Sequence, residues 1–496
     1  MDLNKQVGRL FSVPARALTD DVVHHVRDNH VGGVIWFQST TDVAAAANMH
    51  LQSLAGEPLL ISADLESGIG MRFTDATWWP PAMALAATGD VALAEEQARA
   101  TAQDALAIGI NHVLAPVCDV NVDRNNPVIN TRSFGEDPRT VARFVEAYVR
   151  GLQDEGCLAT AKHFPGHGDT HVDSHRALPI LDVTRERLDV VELVPFRAAI
   201  AAGVTSVMMG HLGVPSLDTA SVPVRAQFEN VWGTSHDEVT RQGTMPATLS
   251  APAIALLRGL GFNGLVMTDA MDMGGLAAHF DPGEAAVRAI EAGEDQVLYS
   301  PDTDAAIAAV IAAVKSGRIP RSRIDESYER IHGAARSVSV PNVRPPTHGG
   351  GGLKPRPTFG ALHIARRSIA LVRDTRGLLP LRATNVAIRT FTDEPLLELP
   401  PDTGNPDTAD VLLLLLASRP KSGAGHITVP DEAQRLAQKH ANKTIAVSLG
   451  SPYILRELGD VSTFVCAWGI QPVLQIAAME AVRGEFEMTG RLPVTL

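Results

Sequence analysis

Between Lys162 and His175 the chain reads KHFPGHGDTHVDSH, with one lysine, four histidines and two aspartates in fourteen residues. Such side chains are costly to bury unpaired, so a run this dense either faces solvent or converges on a ligand. Two chemistries compete for it. His163, His167, His171 and His175 recur every fourth residue, a spacing that on a helix would align the imidazoles as metal ligands. Pro165, Gly166 and Gly168 break a helix across the first half, so the rings cannot stack on one face, and neither a metal nor another cofactor is expected. Proton transfer fits better. An imidazole with an ordinary pKa of about 6.5 exchanges its proton near neutrality when a carboxylate fixes its tautomer. Asp173 stands two residues before His175 and can supply that carboxylate. On spacing alone the pair also reads as a local hydrogen bond that orders a loop.

A nucleophile would complete such a site. In GLVMTDAMDM an apolar run ends abruptly in Asp269. An aspartate there can equally cap a helix, a role that Asp272, three residues on, fits better.

These residues have to be held by something. To about residue 335, short apolar runs alternate with stretches of helical composition, the habit of repeated βα units around a parallel sheet. The runs fall at 6–13, 31–37, 58–65, 110–117, 157–164, 204–211, 264–270 and 295–300. Eight of them over this length predict a TIM-like (β/α)8 barrel, with a doubly wound open sheet as the alternative. Asp64, Lys162, His163, His211 and Asp269 all stand at the C-terminal ends of these runs, where barrels carry their chemistry. Residues 336–360 are rich in Pro and Gly and read as a linker. From 361 to 496, five apolar runs and helical stretches predict a smaller three-layer α/β sandwich domain, in which Val411 to Leu416 suits a strand buried on both faces. Ser221 to Met245 is polar, carries His236, Asp237 and Glu238, and breaks the rhythm as a loop insertion, either a lid or surface decoration.

The bulk properties exclude several functions. A chain of 496 residues exceeds what one hydrophobic core supports. A formal charge of -13 without a basic run argues against a nucleic-acid partner. Cys118, Cys157 and Cys466 are too few and scattered for a disulfide framework and read as buried thiols. No basic head with an apolar run begins the chain and no apolar stretch is long enough to span a bilayer, so a cytoplasmic protein without a membrane partner is expected.

The motifs carry a resemblance. KHFPGHGDT followed by DSH, LAPVCDVN with NPVINTRSFGEDP, and GLVMTDAMDM are similar, in the same order, to the signatures of the two-domain bacterial β-N-acetylglucosaminidases of glycoside hydrolase family 3. Apart from residues 221–245, the chain resembles them from end to end. The resemblance implies a retaining exo-β-N-acetylglucosaminidase that removes terminal β-linked N-acetylglucosamine from a small carbohydrate, a cell-wall muropeptide in peptidoglycan recycling or a chitin fragment. It implies Asp269 as nucleophile, His175 as acid/base and Asp173 as its partner. It also implies that Asp64, Arg72, Arg132, Lys162 and His163 hold the sugar hydroxyls, for which a carboxylate and cationic donors are suited. The spelling SADLESG around Asp64 departs from the common family form, although Asp64 and Arg72 keep their spacing. Trp78 and Trp79 fit either a sugar platform or ordinary core. The alternatives are a phosphorylase or a β-glucosidase of the same family and, from another class, a sugar-binding protein without catalysis.

Overall fold

The computed structural model describes residues 2–225, 243–338, 359–396, 398–421, 423 and 425–496. In the first part of the chain lie β1 (Phe11–Ala15), β2 (Gly33–Trp36), β3 (Leu60–Ala63), β4 (His112–Val113), β5 (Leu158–Phe164) and β6 (Ser206–Met209). They are followed by β7 (Ser221–Val222), β8 (Gly243–Thr244), β9 (Leu265–Thr268) and β10 (Val297–Leu298). Eight of these pair in parallel in the order β10-β1-β2-β3-β4-β5-β6-β9. A parallel bridge between Met267 and Gln296 draws the two edge strands together, so the sheet is a nearly closed barrel. The strands read as continuous apolar runs because helices cover the barrel outside and side chains fill it inside.

The first expected strand is displaced. Leu3–Arg9 is a helix whose cap, Asp2, accepts from the Asn4 amide at 3.3 Å, and the strand starts only at Phe11. Leu3, Val7 and Leu10 recur at helical rather than alternating spacing, which the cap converts into a helix with an inward apolar face. The other seven runs contain the strands β2 to β6, β9 and β10. Within the segment 221–245, β7 and β8 form an antiparallel pair, and residues 226–242 lie outside the described residues.

The helix Arg321–Ser337 runs past residue 335, and the helix Phe359–Ser368 begins at the other side of the Pro- and Gly-rich stretch, of which 339–358 lie outside the described residues. Beyond it β11 (Ala370–Asp374), β12 (Val386–Phe391), β13 (Val411–Leu416), β14 (Thr444–Ser448) and β15 (Thr463–Cys466) form a second, separate sheet in the order β11-β15-β14-β13-β12. Only β11 runs antiparallel to its neighbour, so the sheet is mixed.

β13 is buried along its whole length. Leu413 and Leu415 belong to the large cluster that includes the barrel core, whereas Leu412, Leu414 and Leu416 pack in a second cluster with Met83, Ala84 and Ala87 of the barrel helix Ala82–Ala87. Each leucine contributes about 1.5–3 kcal/mol by leaving water. The same packing draws the second sheet against the barrel's C-terminal side. Polar contacts reinforce it: Asn121 Nδ2 donates to the Tyr453 hydroxyl at 2.8 Å, and the Arg491 amide donates to the Ala87 carbonyl at 2.8 Å.

Cys118, Cys157 and Cys466 are free and buried. No helix among the described residues is long and apolar enough to cross a membrane.

Candidate active site

Strand ends deliver the charged groups. Asp64 follows β3 directly, and Lys162 lies within β5, whose neighbour across β4 is β3. Lys162 Nζ therefore reaches Asp64 Oδ1 at 2.7 Å and Glu66 Oε1 at 2.8 Å. Arg72 donates to the other oxygen of Asp64. Arg132 grips Glu66 with two hydrogen bonds, Nε to Oε2 at 2.9 Å and Nη2 to Oε1 at 2.7 Å. Burial alone would raise the carboxyl pKa values, but Lys162 and Arg72 hold Asp64, and Arg132 and Lys162 hold Glu66, well below the usual range. Three cations against two carboxylates leave one positive charge and several open carboxylate lone pairs, an arrangement chemically suited to hydrogen-bonding hydroxyl groups.

Two histidines frame the next wall. His163 Nδ1 donates to Asp119 Oδ2 at 2.8 Å. His211, fully buried, lies with Nε2 2.9 Å from the Ala270 carbonyl oxygen and Nδ1 2.8 Å from Thr248 Oγ1. Burial keeps His211 below its ordinary pKa, so it is neutral, with its proton on Nε2 facing the carbonyl. Asp269 follows β9, its amide donating to the Met209 carbonyl at 3.0 Å and its Oδ1 accepting from the Ala270 amide at 2.8 Å. Burial would push its pKa up, but His163 foremost, together with the Ala270 amide, outweighs that and holds it below the usual value, so Asp269 is ionised at neutral pH.

The histidine-rich loop does not gather its four imidazoles. His167 is buried, with Nδ1 2.7 Å from Thr170 Oγ1 and Nε2 3.1 Å from Ser174 Oγ, and burial lowers its pKa to about 4; it scaffolds the loop. The His171 side chain is 71% exposed. His175 is different: its Nδ1 donates to Asp173 Oδ1 at 2.8 Å, and its amide donates to the same oxygen at 2.9 Å. Burial would raise Asp173, but the hydrogen bonds from His175 and, across the domains, from the Gly423 amide at 2.7 Å keep it low and ionised. The loop is also pinned to the one that carries Asp269. The Gly274 amide donates to the His175 carbonyl at 2.9 Å, and the Gly275 amide donates to that of Ser174 at 3.0 Å. A Cβ on Gly274 would lie 2.6 Å from the His175 carbonyl oxygen, so only glycine allows this approach.

These groups surround a cavity of about 470 Å³, an ordinary size for a small-molecule site. Asp64, Arg72, Arg132, Lys162, His163, His175 and Asp269 all line it. Asp173 is buried behind His175 instead. Trp78 lines the cavity, its Nε1 donating to Ser67 Oγ at 3.0 Å, whereas Trp79 is core.

Sequence reasoning missed Glu66 and Asp119 as contributors and placed His211 at a strand end without giving it a role. Glu66 and Asp119 stand inside the motifs quoted above, and His211 ends its strand, so position was the available signal. It also misread Asp272. The next helix, Gly274–Ala277, is preceded by Met273, and Asp272 lines the cavity, its pKa raised by burial to about 6. The second domain supplies Arg419, Pro420, Lys421, Trp468, Gly469 and Gln471 to the wall, none of which has a recognisable motif.

Known proteins share this arrangement. Residues 2–334 match the family description "Glycosyl hydrolase family 3 N terminal domain". A β-N-acetylglucosaminidase/β-glucosidase of Cellulomonas fimi is 31% identical over 542 aligned positions, covering 100% of this chain and 94% of the relative. β-Hexosaminidase A of Pseudoalteromonas piscicida is 29% identical, over 88% of this chain and 82% of its own length. Among solved structures, a family 3 β-N-acetylglucosaminidase from Paenibacillus sp. FPU-7 superposes with a TM-score of 0.83 at 31% identity, covering 100% of this chain and 99% of the other. With a barrel, a companion sandwich and a carboxylate- and cation-lined cavity at the strand ends, the chain belongs to glycosyl hydrolase family 3 and is a glycoside hydrolase.

Proposed function

We propose that the protein is a retaining exo-β-N-acetylglucosaminidase that hydrolyses terminal, non-reducing β-linked N-acetylglucosamine. The observation that carries this reading is the Asp173–His175 pair, held at 2.8 Å with the imidazole on the wall of the cavity that Asp269 also lines. Because Nδ1 is committed to Asp173, Nε2 is the atom that exchanges protons. In the first step the His175 imidazolium donates from Nε2 to the glycosidic oxygen while ionised Asp269 attacks the anomeric carbon. The C–O bond to the leaving group breaks as the Asp269 ester forms. In the second step neutral His175 takes a proton from water, which attacks the anomeric carbon, and Asp269 leaves as carboxylate with net retention. Asp173 stabilises the imidazolium, and Asp64, Arg72, Arg132, Lys162 and His163 hold the hydroxyls of the terminal sugar. The relatives named for β-N-acetylglucosaminidase and β-hexosaminidase activity support the choice of sugar.

A 5-fluoro-N-acetylglucosaminyl fluoride tests the nucleophile: mass spectrometry of the digested enzyme should find the sugar on the peptide containing Asp269. Turnover with the label elsewhere, or with none, would exclude that role. Phosphate as acceptor is a second reading, favoured by a neutral imidazole base and by Arg419 and Lys421 on the cavity wall. It requires N-acetylglucosamine 1-phosphate among the products when inorganic phosphate is added.

A further inference from the structure

A hydrogen bond ties the acid/base pair to the second domain, between residues 250 positions apart: the Gly423 amide donates to Asp173 Oδ2 at 2.7 Å. Asp173 Oδ1 already accepts from the ring and the amide of His175, so the two carboxylate oxygens serve two different domains. A second contact lies on the other side of His175. Gly425 passes so close to Arg176 that a Cβ there would sit 3.2 Å from Nη1. The segment that brings these glycines in is anchored to its own domain. Arg419 Nη2 meets Glu394 Oε1 at 2.5 Å and Lys421 Nζ meets the same oxygen at 2.9 Å, while Lys421 also pairs with Asp393. The Arg419 guanidinium lies 6.0 Å from the centre of the Trp78 ring, which belongs to the barrel. The segment is thus fastened at its root and touches the barrel at Trp78, Asp173 and Arg176.

We propose that the Gly423 peptide is a positioning group of the acid/base pair, so that proton transfer depends on the docking of the second domain. The inference rests on the reading of His175 as acid/base. An aspartate that orients an imidazole must itself be held, because rotation about its side-chain bonds would carry the acceptor oxygen away from Nδ1. Oδ1 is held from within the loop, by the ring and the amide of His175, which leaves Oδ2 for an anchor from outside it. The Gly423 amide reaches Oδ2 from outside the loop, and as a directional hydrogen bond it opposes this rotation. It also favours the carboxylate, the form that stabilises imidazolium.

Gly423→Pro removes the N–H and, because its ring fixes φ at about −65°, also takes the peptide out of the left-handed φ of 75° found here, whereas Gly423→Asn keeps the N–H in a residue that tolerates that φ. Each is measured on two substrates, N,N′-diacetylchitobiose, whose departing alkoxide needs a proton, and 2,4-dinitrophenyl N-acetylglucosaminide, whose phenolate does not. The proline variant should lose about ten-fold or more in kcat/KM on the first and at most about three-fold on the second, and the asparagine variant should keep the parental ratio between them. Equal losses by the proline variant on both substrates, no loss, or the same selective loss in the asparagine variant would overturn the inference. His175→Ala on the same substrates separates the two claims. If it shows no selectivity, the acid/base reading fails; if it does and Gly423→Pro does not, only the positioning role fails.

Discussion

His211 Nε2 lies 2.9 Å from the carbonyl oxygen of Ala270, the residue directly after Asp269. The neutral imidazole therefore fixes the peptide that leads out of the Asp269 position. His211→Ala should lower kcat by roughly 10- to 100-fold with little change in KM, and His211→Gln, which offers an amide donor to the same carbonyl, should recover part of the loss. Steady-state kinetics on a nitrophenyl glycoside would decide; full kcat in the alanine variant would remove His211 from the site.

Lys162 neutralises two buried carboxylates at once. Lys162→Met should leave Asp64 and Glu66 facing each other with Arg72 and Arg132 alone, costing about 3–5 kcal/mol of stability. Activity should be lost as well. Denaturant unfolding of parent and variant gives the number, and a difference under about 1 kcal/mol would mean that water or rearranged arginines replace the ammonium.

Asp272 offers a pH test with a defined sign. Its carboxyl pKa rises from an ordinary 3.8 to about 6 on folding, chiefly through burial, with His175 pulling the other way. A group raised in this way costs nothing while protonated in both states and costs stability once it ionises. The cost grows as pH rises from about 4 to about 6 and is constant above. Asp272→Asn should therefore have little effect on unfolding near pH 3 and stabilise the protein by about 3 kcal/mol at pH 7. A gain that is already complete at pH 4 contradicts this origin.

The domain contact can be weakened without touching the cavity. Tyr453→Phe leaves the buried Asn121 amide without its 2.8 Å acceptor and should cost about 1–3 kcal/mol. Differential scanning calorimetry reads it as a lower unfolding temperature, and an unchanged temperature would show that the hydroxyl adds nothing to docking.

Much of the architecture was legible because its signals are local. Seven of the eight apolar barrel runs contain their strands, since a strand buried on both faces reads as an apolar run wherever it sits. The exception, residues 6–13, failed where Asp2 caps a short helix that a six- to eight-residue window cannot tell from a strand. Asp272 failed for a related reason: cap chemistry is judged against a helix boundary, and that boundary lies one residue later than its spacing suggests.

Asp64, Lys162, His163, His211 and Asp269 could be placed on one face from the chain alone because barrel topology sends strand ends there, with His175 in the loop that follows β5. The pairing of those groups could not. That Lys162 bridges Asp64 and Glu66, that His211 backs Asp269, and that Gly423 meets Asp173 are contacts between residues up to 250 positions apart. They are set by strand order and by the apolar packing of the second sheet on the barrel, and nothing in the local spelling of RPK at 419–421 marks it as part of the cavity wall. Residue identity determined which chemical groups this protein has available; the tertiary fold decided which charges neutralise one another and which imidazoles line the cavity with Asp269, because electrostatics and hydrogen bonding act through space over a few ångströms and not along the chain.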